Sequence, residues 1–132
     1  MKKNKIFLII AVLGLAVGAC DYAFVIPEEA PPLDDGSGEP VVVSFSEDIL
    51  PIFNNDNHCT QCHNTGGTAP DLSAEKAYQS LNNSKYINTE SPDQSLIYNY
   101  LIPTATTHTR KHYTATEAQY VLVWIEQGAK NN

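Results

Sequence analysis

The chain has a single methionine, and it is Met1. No thioether side chain is therefore available as a metal ligand once the first residues are removed. Cysteine is nearly as sparse, with Cys20, Cys59 and Cys62 the only three in 132 residues. That number excludes a disulfide-rich framework, and a four-ligand zinc site would lack the second cysteine pair it usually draws on. Positive charge is scarce too, with eight Lys and Arg against fifteen Asp and Glu, for a net charge of −7. Such a balance argues against nucleic acid and against electrostatic adhesion to anionic lipid. No internal repeat is visible, and no acid–base or nucleophile constellation stands out. One long apolar run exists, residues 6–17, and it is too short to span a bilayer comfortably.

That run follows a basic start, "MKKNK", and the pair reads as the n-region and h-region of a signal peptide. It ends in "LAVGAC", where small Gly18 and Ala19 precede Cys20. These few positions resemble a bacterial lipobox. The resemblance implies a signal peptide over 1–19 and a diacylated Cys20 as the mature N-terminus. Cleavage after Ala19 that leaves Cys20 as a plain thiol, and a signal anchor that is never cleaved, are the other readings. Removal of Lys2, Lys3 and Lys5 with the signal leaves five basic residues against fifteen acids, a net charge of −10. This suits either simple solubility or a partner with a basic docking patch.

Residues 20–40 are rich in Pro, Gly, Ser and acids and read as a flexible tether, long enough to hold a domain tens of ångströms from a membrane. One domain remains, 41–132. A unit of about 90 residues buries only a modest core and often depends on a disulfide, metal or cofactor. Its pattern is mostly helical. "SFSEDILPIF" predicts a helix capped by Ser46, with Pro51 delaying or bending it. "DLSAEKAYQSL" predicts a short helix capped by Ser73. "SPDQSLIYNYL" predicts a cap at Ser91 completed by Gln94 as a capping box. "TATEAQYVLVWIEQG" carries Thr114 and Glu117 as a second capping box, an apolar face of Ala118, Val121, Leu122 and Ile125, and Gly128 as the stop. "VVVSF" is strand-like or an extended lead-in, and Trp124 is expected in the core.

The chemistry is concentrated in "NHCTQCHN". Cys59, Cys62 and His63 match C-x-x-C-H, the attachment signature of c-type haem. Two thioethers at this spacing would hold both vinyl edges to one turn of chain, and the next residue, His63, would then sit under the iron as an axial ligand. A redox-active disulfide usually occurs in a βαβ context, which is absent from the pattern. Zinc would need further ligands beyond His58 or His63. A plain Cys59–Cys62 disulfide closes a very short loop and stabilises little.

"FSEDILPIFNNDNHCTQCHN", "SPDQSLIYNYL" and "VLVWIEQGAKNN" together resemble the small cytochrome c domains of bacterial envelope proteins, including the planctomycete-type ones. The likeness spans about 45–130. It implies an all-α fold of class I type, about four helices around one covalent haem c, with the first and last helices crossing beside it. The family commonly supplies a methionine as second axial ligand, which this chain lacks. By position, His108 replaces it, with His112 or an open iron position as alternatives. The resemblance also implies that the Pro70 carbonyl accepts the ring N–H of His63. His58 is expected at the surface or on the propionate side, and Arg110, Lys111 and the tyrosines near the propionates.

The sequence thus predicts a lipid-anchored monohaem cytochrome rather than an enzyme. It would pass single electrons to redox protein partners in the cell envelope, with the domain in the periplasm or at the outer surface. A gas-binding or peroxide-handling haem protein with an open iron position, and a non-haem interaction lipoprotein with a Cys59–Cys62 disulfide, are the alternatives.

Overall fold

The computed structural model describes residues 33–34 and 36–132. The expectations for the signal peptide, for Cys20 and for most of the tether lie outside the described residues. Among the described residues the secondary structure is helical, with no strand. Four α-helices follow in order: α1 (Leu50–Asn54), α2 (Ala77–Leu81), α3 (Leu96–Asn99) and α4 (Ala115–Glu126). A π-helical turn, Phe45–Ile49, runs into α1, and 3-10 turns occupy Asn55–Asn57 and Pro92–Gln94. No helix among these residues is long and apolar enough to cross a membrane.

Helix α4 forms as its local chemistry dictates. The Thr114 hydroxyl accepts from the Glu117 N–H at 3.1 Å, and the Glu117 carboxylate accepts from the Thr114 N–H at 2.7 Å. Two N–H groups that the helix itself cannot satisfy are thereby paired. Gly128 ends the helix in the left-handed region, at φ 92°. Ala118, Val121, Trp124 and Ile125 form one buried stripe.

The other helix starts depart from the expectation, through one long-range contact and several local ones. Ser44, not Ser46, caps the first turn, its hydroxyl accepting from the Glu47 N–H. Ser46 is occupied elsewhere: its N–H and hydroxyl both donate to the Asn132 carbonyl, at 3.0 and 2.8 Å. Pro51 sits in the first turn of α1, where its missing N–H is harmless. Helix α2 begins one turn later than expected, at Ala77, because the Ser73 hydroxyl donates to Asp71 at 2.6 Å instead of capping. The capping box of Ser91 and Gln94 does not form. Gln94 donates to Asp93, and the chain breaks at Ser95, whose buried hydroxyl is bonded to the N–H and carbonyl of Asn88.

The core joins both ends of the domain. Phe53, Ile49, Leu81, Val121, Trp124 and Ile125 are essentially sealed from water. Trp124 packs there, its ring 5.3 Å from that of Phe45, and its N–H donates to the Lys130 carbonyl at 2.9 Å. Phe45 meets Tyr78 edge-on at 5.2 Å. Removing an aromatic ring from such a place costs about 3–5 kcal/mol. The "VVVSF" segment is an extended lead-in. Gln127 holds it with both ends of its amide, accepting from the Val43 N–H at 3.0 Å and donating to the Val41 carbonyl at 2.7 Å.

Candidate functional site

The C-x-x-C-H segment folds as a turn fastened to the end of α1. The Cys59 N–H donates to the Phe53 carbonyl at 3.2 Å. The N–H groups of Cys62 and His63 then both reach the Cys59 carbonyl, at 3.2 and 2.9 Å. The chain doubles back immediately, with Thr68 N–H on the Cys62 carbonyl at 2.8 Å and Leu72 N–H on the His63 carbonyl at 2.9 Å. Gly67 permits this: a Cβ there would stand 2.5 Å from the Cys62 carbonyl oxygen. The return brings buried Pro70 behind the histidine, and the His63 Nδ1 lies 3.2 Å from the Pro70 carbonyl. Asp71 braces the turn, accepting from the Thr65 hydroxyl at 2.8 Å and from the Ser73 N–H and hydroxyl. The hydroxyls of Ser73 and Thr65 hold its carboxyl below the ordinary range.

Cys59, Cys62 and His63 line one wall of a cleft of about 250 Å³, open at its mouth. Leu72, Leu96, Ile97 and Leu101 supply apolar surface, and His108 reaches the same space. Lys85, Arg110 and Lys111 also line it, with His58. Three of the five basic residues of 41–132 are thus gathered at one cleft of an acidic domain.

The two cleft histidines are prepared alike. His108 Nδ1 lies 3.0 Å from the Lys111 carbonyl, as His63 Nδ1 does from that of Pro70. A carbonyl only accepts, so each Nδ1 carries a proton, which leaves Nε2 as the nitrogen that could bind a metal. The ring centres are 6.2 Å apart and the planes differ by 29°. His112 is set differently: it does not line the cleft, its ring stands at 78° to that of His108, and its buried Nε2 has no hydrogen-bond partner. His58 is exposed, and its Nδ1 accepts from the Lys111 ammonium at 2.8 Å. That ammonium also donates to Glu117 at 3.2 Å.

Cys59 and Cys62 are free thiols. Burial pushes the Cys59 thiol up, against a smaller lowering by Lys111. Among the described residues no three His, Cys, Asp or Glu side chains converge to hold a metal ion by themselves. The residues do fit a haem. A metal–imidazole bond of about 2 Å would put a ring centre roughly 3 Å from the metal, so two imidazoles holding one metal from opposite sides would lie roughly 6 Å apart. The separation of His63 and His108 has this size, with both thiols in the wall of the same cleft.

Some positioning residues were not anticipated. Asp71 had a signal in "DLS", the spacing of an Asx turn. Gly67 had none beyond its place after the motif. The link from Lys111 to His58 joins segments 53 residues apart in the chain and carries no local signature. No family model, curated protein or solved structure matches the chain.

Proposed function

We propose that the domain is a monohaem c-type cytochrome that carries single electrons in the cell envelope, anchored by a lipid on Cys20. Cys59 and Cys62 hold the haem, and His63 and His108 bind its iron. One observation carries this reading: two imidazoles, each with Nδ1 bound to a backbone carbonyl, share a cleft with both thiols, their ring centres 6.2 Å apart. His108 is preferred over His112 because it lines that cleft.

Bound haem supplies one reversible, iron-centred electron. The chain's own residues do the rest. Pro70 and Lys111 fix the tautomer and heading of the two rings, which also makes each Nε2 a better donor. Leu72, Leu96, Ile97 and Leu101 exclude water from the cleft walls. Lys85 and Arg110, also in the cleft lining, would offer cations to haem carboxylates. A redox partner's basic patch then suits the acidic flanks of the domain rather than this mouth.

The test is expression of the full chain with a working cytochrome c maturation system. Haem retained through denaturing electrophoresis and acid–organic extraction, with a mass showing one haem, is the expected result. The oxidised protein should be low-spin, without the far-red absorption band of methionine ligation. Haem that extracts cleanly, or folded protein that carries none, refutes the reading. A high-spin protein that takes up carbon monoxide at once would favour the gas-binding alternative.

A further inference from the structure

We propose that Lys111 is the positioning residue that holds His108 over the cleft, through a clamp formed with His58 and Glu117. The proposal rests on the reading of His108 as an iron ligand and adds what makes it one.

The loop carrying His108 has backbone bonds at its two ends, from Ala105 N–H to the Ile102 carbonyl at 2.9 Å and from Tyr113 N–H to the Leu101 carbonyl at 2.7 Å. Between them, Lys111 fastens it across the cleft. Its ammonium is shared by His58, the residue before Cys59, and by Glu117, in the first turn of α4. Glu117 is itself immobilised, since its other oxygen accepts from the Thr114 N–H. The side chains of Lys111 and Glu117 are 23 and 24 % exposed, so water and salt screen the pair less than a surface pair. With its side chain anchored on both sides, Lys111 presents its carbonyl to His108 Nδ1 at 3.0 Å. That bond sets the heading of Nε2. The side chain of Lys111 therefore acts on the ligand through its own backbone, and ties the distal loop to the turn that bears the thiols.

The test uses the haem-loaded full chain and reads the spin state of the oxidised protein and carbon monoxide uptake by the reduced protein. Lys111→Met keeps the carbonyl but removes the anchor. It should shift the ratio of bound to unbound His108 toward the unbound by roughly threefold, the scale of one partly buried ion pair. Lys111→Arg should keep the wild-type spectrum. His108→Ala runs in parallel. If it turns high-spin while Lys111→Met takes up carbon monoxide no faster than the wild type, the clamp is refuted and the ligand reading stands. If His108→Ala stays low-spin, the ligand reading itself falls, and the clamp with it. A lower melting temperature in Lys111→Met with an unchanged rate of carbon monoxide uptake also refutes the positioning role. Should Lys111→Met fail to fold, Glu117→Gln decides: faster carbon monoxide uptake supports the clamp, and uptake at the wild-type rate overturns it.

Discussion

Gly67→Ala tests whether the turn behind the C-x-x-C-H segment is as tight as its geometry demands. The added methyl would stand 2.5 Å from the Cys62 carbonyl oxygen and 3.0 Å from the Asn64 side-chain oxygen. The first of these is a backbone atom of the turn itself, so no side-chain rotation relieves it. Overpacking of this kind costs about 1–3 kcal/mol. In a domain of this size each kcal/mol moves the melting temperature by about 4–8 °C, so a loss of several degrees or more is expected. The Cys62 carbonyl also accepts from the Thr68 N–H, and displacement of one disturbs the other. Thermal unfolding by circular dichroism measures the loss, and amide exchange at Thr68 locates it. An unchanged melting temperature together with unchanged protection at Thr68 would refute the reasoning. Gly66→Ala is the contrast: it has open space around its Cβ but a φ of 85°, so its penalty would come from backbone strain without displacing Cys62.

Three further outcomes are expected. Thr114→Ala removes one half of the α4 capping box and should cost about 1 kcal/mol in urea unfolding, with Glu117→Gln plus Thr114→Ala less than additive because the two residues share the motif. For Glu117, burial pushes its carboxyl up, but hydrogen bonds from Thr114 and Lys111 outweigh burial and hold it below its ordinary value of 4.5. Its contribution to stability is therefore complete above that value and is lost as the pH falls through the lowered one. Urea midpoints should fall more steeply across that acid window in the wild type than in Glu117→Gln, and parallel profiles would count against it. Cys20→Ser should abolish incorporation of labelled fatty acid, whereas equal labelling of mutant and wild type would remove the lipid anchor from the proposal.

What could be read from the sequence was what short-range chemistry decides. Thr114, Glu117 and Gly128 delimit α4 through bonds and dihedrals within a turn of themselves, and they do so in the structure. Ser44 rather than Ser46 stands at the cap, in a segment that both serines tie to Asn132, 86 residues from Ser46. The Ser91 box failed because Ser95 is bonded to Asn88 and ends the turn early. The site divides in the same way. The turn holding Cys59, Cys62 and His63 is local, and its contact with Pro70 is seven residues off. The setting of His108 depends on a backbone carbonyl, which looks the same at every position in a sequence, and on an ammonium that reaches His58, 53 residues back.

The Gln127 amide has a mechanical consequence. It grips the lead-in at Val41 and Val43, while Asn132 accepts from the Phe45 N–H just beyond. None of these residues lines the cleft. A load arriving along the chain ahead of Val41 is shared first among these hydrogen bonds and the wedge of Val43 and Phe45 in the core. They work like the strain relief on a cable. Tugging on the lead-in is taken up at α4, and the spacing of His63 and His108 is left undisturbed.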